Sequence, residues 1–197
     1  MTKYSKRIAY AATVAAGALL LAGCGSGDDK PKAAASASAS AAFNDADVMF
    51  AQMMIPHHEQ ALEMAKLAGG RASDAEITSL AGAIERAQDP EIRTMTSWLK
   101  GWGKPVTATG MHHGASGMNG MSGMMSDADM AQLKAAQGTA FDRRFAQLMI
   151  GHHQGAVEMA RTEQKSGRDA KSVALAGEVV KAQSAEIAQL RKILDRL

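Results

Sequence analysis

Residues 50–65 (Phe-Ala-Gln-Met-Met-Ile-Pro-His-His-Glu-Gln-Ala-Leu-Glu-Met-Ala) return at 145–160 (Phe-Ala-Gln-Leu-Met-Ile-Gly-His-His-Gln-Gly-Ala-Val-Glu-Met-Ala), a constant offset of 95 positions. A self-match of this length restricts the chain to folds assembled from two copies of one unit. The same offset carries Ala87-Gln88 onto Ala182-Gln183, Glu91-Ile92 onto Glu186-Ile187 and Leu99 onto Leu194. Each unit therefore holds a histidine-bearing segment followed by a glutamine/glutamate-bearing one.

The composition says what those segments are. Aromatic residues make up only 4% of the 197, while 46% are hydrophobic, dominated by Ala, Leu and Met with few β-branched residues. That balance favours helices over strands. Helices are expected over 44–67, 74–102, 127–165 (with a break near Gly138) and 169–197, so the reading is an all-α, four-helix bundle made of two duplicated helical hairpins. Asp74 and Asp127 are the expected N-caps, and Gly69-Gly70 and Gly167 suit the turns after the histidine helices. Asp89-Pro90 predicts either a kink in the second helix or a late start to it; Ala185 in place of the proline in the second copy favours the kink.

At about 100° per residue, Phe50, Met54, His57, His58, Ala61, Met64, Ala65 and Ala68 occupy one apolar sector. Phe145, Met149, His152, His153, Ala156, Met159 and Ala160 occupy the same sector in the second copy. Both histidine pairs are thus expected to face the bundle interior, where a pseudo-twofold arrangement brings four imidazoles and several thioethers together. A lone histidine on an apolar face is usually a packed core residue, and Met at helical spacing is usually filler. The filler account is preferred for Met49, Met53, Met95 and Met130. It is not preferred for the histidines, because all six stand in His-His pairs and four recur at the duplication offset. Imidazole nitrogen with thioether sulfur suits copper, and Cu(I) above all, rather than hard ions.

Between the hairpins, 103–126 is rich in Gly and Ser and holds Met111-His112-His113 followed by Met118, Met121, Met124 and Met125. So many glycines argue against core packing for these methionines, and the segment is read as a secondary, faster-exchanging metal-loading arm. A spacer whose methionines scavenge oxidants is the plainer alternative.

The N-terminus carries Lys3, Lys6 and Arg7, then an apolar run over 8–21, then Leu21-Ala22-Gly23-Cys24. This reads as a signal peptide over 1–23 ending in a sequence that resembles the bacterial lipobox, with Cys24 as the lipidated residue. Residues 24–42 form a Gly/Ser/Ala-rich tether, and 43–197 the duplicated domain. The expected location is the extracytoplasmic face of the cell membrane, held by a lipid anchor. Cys24 is the only cysteine, so the domain has no thiolate to offer a metal. Of 22 basic residues, the three in the leader are set aside; 19 then face 20 acidic ones, and nothing recommends nucleic acid as a partner.

The Met-Ile-Pro-His-His motif at 54–58, Met-Ile-Gly-His-His at 149–153, the following Glu-Met-Ala triplets and the Ala-Gln-x-x-Glu-Ile pattern resemble the family called domain of unknown function 305, over 44–197 apart from the linker. The resemblance implies a ferritin-like four-helix fold, export and, for some members, copper or silver binding. Carried over by position, it points to Met54, His57, His58, Met64, Met149, His152, His153 and Met159 as metal residues. Gln88 with Glu91, and Gln183 with Glu186, lie one turn apart and are expected either to orient imidazoles or to serve as ordinary interhelix hydrogen-bonding groups. The expected function is sequestration or hand-on of Cu(I), with Cu(II) and Ag(I) as further ions, to an unidentified metal-delivery partner and without catalysis. A di-iron enzyme built on Glu63, Glu91, Glu158 and Glu186 is the main rival; it lacks the Glu-x-x-His spacing such bundles use, and Glu63 and Glu158 fall opposite the histidines, where ion pairing suits them. A structural envelope lipoprotein is the third possibility, and it leaves the paired histidines unexplained.

Overall fold

The computed structural model describes residues 42–107 and 122–197. Five helices make it up: α1 (Asp45–Ala68), α2 (Ala75–Gly101), α3 (Asp127–Ala135), α4 (Gly138–Ser166) and α5 (Ala170–Arg196). α1 packs on α2 and α4 on α5 as two hairpins, and the hairpins meet chiefly through α1 and α4. The duplicated four-helix bundle is thus present, with α3 added ahead of the second hairpin.

Local chemistry sets the helix ends. Asn44 caps α1, its side chain accepting from Ala46 N (2.9 Å) and Asp47 N (3.1 Å), while Asp47 answers by accepting from Asn44 N (2.6 Å). Asp74 and Asp169, again 95 apart, cap α2 and α5 through the amides two and three residues on. The cap of α3 is Ser126 rather than Asp127. Its hydroxyl accepts from Asp129 N (3.1 Å) and the Asp129 carboxylate accepts from Ser126 N (3.2 Å), a reciprocal pair Asp127 is not placed to make. The expected 127–165 helix is two helices: Ala136 and Gln137 are extended, and Gly138 turns the chain at φ +58 while its amide donates to Arg71 O (2.8 Å). α2 runs through Pro90 and α1 through Pro56 without interruption, so the Asp-Pro step does not mark a late start.

The interior has three tiers. Met64, Ile77, Ile84, Phe141, Phe145, Met149 and Leu190 form one apolar cluster, and Phe50, Met54, Met95, Leu99, Ala160 and Val179 another. α1 contributes 48–55 to the second cluster and 61–68 to the first, and α4 reverses that order. The residues between, His57-His58 and His152-His153, are therefore sandwiched between two hydrophobic layers, and Gln88 and Gln183 come to the same level from α2 and α5. Met95 and Met130 are buried filler as expected, but Met49 is 59% exposed and Met53 half-buried. The core-filler reading thus fails for these two, which line a cleft between α1 and α4.

Two buried aspartates that the motif search passed over tie the hairpins together. Asp47 on α1 accepts from the amides of Arg168 (3.0 Å) and Asp169 (3.0 Å) at the start of α5. Asp142 on α4, its duplicate, accepts from the amides of Ser73 (3.2 Å) and Asp74 (3.1 Å) at the start of α2. Burial pushes Asp47 up, but hydrogen bonds from Asn44, Glu163, Asp169 and Arg168 outweigh it and hold its carboxyl below the usual range.

Glu163 breaks the symmetry, since Ala68 is its counterpart. It is buried, one oxygen accepts from Ser172 Oγ (2.6 Å), and the other has no donor. Burial raises its pKa from the ordinary 4.5 to about 7, and Asp47 beside it adds to the rise. The folded protein then keeps a proton that the unfolded chain has lost between those two values, so stability falls as pH rises from about 4.5 to about 7 and stays lowered above. Glu163→Gln keeps the acceptor for Ser172 and supplies a neutral donor toward Asp47. Urea titrations are expected to show the variant equal to wild type near pH 5 and about 1–3 kcal/mol more stable at pH 8. Parallel pH profiles for the two proteins would overturn this.

Candidate metal centre

The middle tier is built by the duplication itself. His57 and His152 occupy equivalent positions on α1 and α4, and their rings meet across the pseudo-twofold axis with centroids 3.7 Å apart and planes tilted by 40°. The neighbouring histidines turn the other way, each toward the second helix of its own hairpin. His58 Nε2 lies 2.6 Å from Glu91 Oε2 and His153 Nε2 lies 2.7 Å from Glu186 Oε2. Of the two roles open to these glutamates, the geometry supports orientation of an imidazole: a carboxylate on Nε2 fixes the ring and leaves Nδ1 as the lone-pair nitrogen. Gln88 and Gln183 are buried at the same level, Gln88 with both amide atoms unpaired and Gln183 with its oxygen unpaired.

All four histidines are buried, and six of their ring nitrogens have no well-formed hydrogen bond: both of His57, both of His152, and Nδ1 of His58 and His153. Buried polar atoms are nearly always paired, because leaving one unpaired costs about 1–3 kcal/mol. Burial drives the His57 pKa down to about 3, reinforced by His58 and His153 and opposed by the backbone of Ser122. Burial and the other three imidazoles push His152 well below its ordinary value, with the His57 backbone opposing. At neutral pH this pair is therefore uncharged, with free lone pairs in an apolar sleeve.

The thioethers divide into two sets. Met54 and Met149 are buried one helical turn before His58 and His153, on opposite sides of the histidine tier. Met64 is buried two turns beyond His57, in the first apolar cluster, and nothing brings it to the imidazoles. Met159, its duplicate, is half-buried and lines an outer cleft instead. Among the described residues, no three side chains from His, Cys, Asp and Glu converge as a ready-made chelate. A soft ion held at His57 and His152 with thioether help fits the donors present better than a hard ion does. The carboxylates of the di-iron alternative are dispersed: Glu63 pairs with Lys134 on the surface (2.8 Å), Glu158 accepts from Ser122 Oγ (2.9 Å), and Glu91 and Glu186 are engaged by histidines. Glu158 thus has a hydrogen bond where an ion pair was expected.

Cys24, Met111, His112, His113, Met118 and Met121 lie outside the described residues. Where the chain becomes describable again it crosses α4 beside the histidines. Ser122 and Gly123 pass so close to Gly155 that a Cβ there would sit 2.0 Å from Ser122 O, and Gly123 (φ +83) presses on the carbonyls of Gly151 and His152. Two positions later Gln60, the duplicate of Gly155, accepts from Met125 N (2.7 Å) and donates to Met125 O (2.9 Å). At this position the copies differ to suit the strap, glutamine to grip it and glycine to admit it. The Gln60/Gly155 mismatch in an otherwise close repeat was the legible sign.

The family profile described as Domain of unknown function (DUF305) matches residues 47–194. No curated protein matches significantly. Among solved structures, a DUF305 fragment from Deinococcus radiodurans is 32% identical, with 78% of this chain and 98% of that one covered at a TM-score of 0.70. CopM in its Cu(II)-bound form is 37% identical, with 76% and 96% covered at 0.65. CopM co-crystallised with Ag is 34% identical, with 76% and 96% covered at 0.62. Sequence repeat, bundle and paired histidines agree with these matches, and the chain belongs to the DUF305 family, whose structures include copper- and silver-bound members.

Proposed function

We propose that this protein is an exported copper-binding lipoprotein that sequesters Cu(I), or hands it on to a delivery partner, at a buried centre formed by His57 and His152. His58 and His153, oriented by Glu91 and Glu186, and the thioethers of Met54 and Met149 complete the donor set. The observation that carries this reading is a fully buried tier of four imidazoles in which six ring nitrogens have no well-formed hydrogen bond. A protein with no use for those lone pairs gains by replacing them with apolar side chains. Binding of Cu(II), Cu(I) and Ag by CopM supports copper as the ion and silver as its surrogate. Thioethers, with no thiolate in the domain, favour the reduced ion.

Export and anchoring through Cys24 rest on the leader sequence alone, and among the described residues no helix is long and apolar enough to cross a membrane. A lipid anchor would keep the domain at the extracytoplasmic surface.

Competition for Cu(I) against a chromogenic chelator, in wild type and in His57→Leu/His152→Leu, tests the centre. Wild type is expected to retain one tightly held Cu(I) that the variant loses, with affinity lowered by about 100-fold or more. Equal retention by the variant would remove the histidine centre from consideration. Preference for Zn(II) or Fe(II) over Cu(I) would overturn the choice of ion.

A further inference from the structure

Outside the histidine tier, α1 and α4 form a cleft of about 310 Å³ whose lining includes Met49, Met53, Met159, Phe50, Ser122 and Glu158. We propose that this cleft is a second, solvent-reachable soft-metal site, taking Cu(I) or Ag(I) through the thioethers of Met49, Met53 and Met159. It goes beyond the buried centre and does not depend on it.

Met49 and Met53 stand one turn apart on α1, and Met159 faces them from α4. The duplicate of the α1 pair is Arg144 and Leu148, so the thioether pair belongs to one copy only. Leu148 shows that a leucine serves the same helix position where mere packing is wanted. Met49 is 59% exposed, which leaves its thioether open to solvent.

Glu158 and Glu163 also line the cleft, each with one carboxylate oxygen already accepting a hydrogen bond. Ser122 Oγ donates to Glu158 Oε2 (2.9 Å), Thr162 Oγ1 donates to Glu158 O (3.1 Å), and Ser172 Oγ donates to Glu163 Oε1 (2.6 Å). Three thioethers line the same cleft, and sulfur donors favour a soft monovalent ion over Zn(II), Mg(II) or Ca(II). Glu158 supplies a nearby negative charge to offset the cation. Ser122 borders the cleft and lies against Gly155 of α4, two residues after His153, so the cleft adjoins the histidine-bearing stretch of α4.

The full chain labelled with 13C-methyl methionine, carrying His57→Leu/His152→Leu so that the buried centre is silent, is titrated with Ag(I). The methyl signals of Met49, Met53 and Met159, assigned by single Met→Leu substitutions, are expected to shift together within the first equivalents. Met49→Leu, an exposed change that leaves folding intact, is expected to weaken this step about tenfold or more. Shifts confined to other methionines, or an unchanged affinity in Met49→Leu, would overturn the site. Because the buried centre is absent in this background, that failure leaves the histidine reading untouched.

Discussion

His57→Leu/His152→Leu is expected to make the metal-free protein more stable while removing its response to metal. In the metal-free fold the two rings lie with centroids 3.7 Å apart and present four nitrogens with no well-formed hydrogen bond in a buried tier. Each such atom costs about 1–3 kcal/mol, partly recovered by the ring's own burial. Leucine is similar in size, brings no polar atom and meets apolar layers on both sides, so the net gain should be about 2 kcal/mol. The wild type follows the opposite course: Cu(I) buffered at 1,000 times its dissociation constant adds about 4 kcal/mol, because only the folded chain binds it tightly. Thermal and urea unfolding of both proteins, with and without buffered Cu(I), separates the terms. The expected result is a crossing, with the variant ahead when metal-free and the wild type ahead when loaded. A variant less stable than the metal-free wild type would mean that the imidazoles are structural core residues. A variant still stabilised by Cu(I) would mean that the ion sits elsewhere.

Most of this arrangement was legible in the chain because duplication and helical periodicity report on the same residues. The offset named the pairs His57/His152, Glu91/Glu186 and Met54/Met149, and the 100° step placed the histidines on the buried face, as found. What periodicity cannot supply is azimuth around the bundle. Helical spacing made Met49 and Met53 read as core filler, and only the crossing of α1 on α4 decides whether such positions are closed by a neighbour or left as a cleft. For the same reason Met64 and Met159, equivalent in sequence, are not equivalent in space: one is enclosed by the first apolar cluster and the other borders the cleft. The division of the 127–165 helix turned on Gly138, where a positive φ reverses the chain; its position was visible, but its donor bond to Arg71 O depended on the tertiary fold. The Asp47/Asp142 pair was present in the repeat and escaped notice because an aspartate near a helix start reads as a local cap.

That pair carries the second large expectation. Asp142→Ala should destabilise the domain by about 3–5 kcal/mol, because it strips the acceptor from the amides of Ser73 and Asp74 and from the Ser73 hydroxyl around a fully buried carboxylate. Asp142→Asn keeps one acceptor oxygen and loses the charge, so a smaller loss of about 1–2 kcal/mol is expected. Each aspartate reaches across to the other hairpin: α1 holds the start of α5 through Asp47, and α4 holds the start of α2 through Asp142. A hairpin that opened alone would abandon its own grip and its partner's at once, which makes separate unfolding costly. Asp142→Ala should therefore shift one cooperative transition, seen alike by far-UV circular dichroism and by Trp98 and Trp102 fluorescence from the α2 end. If the two probes separate, or if the shift is below about 0.5 kcal/mol, the braces do not couple the hairpins. Coupling also bears on the metal, because His57 and His152 come from different hairpins and their ring-to-ring contact exists only while both are docked. An Asp142→Ala protein that still folds should then bind Cu(I) more weakly, in proportion to the fraction of time the hairpins are apart, although Asp142 lies outside the histidine tier.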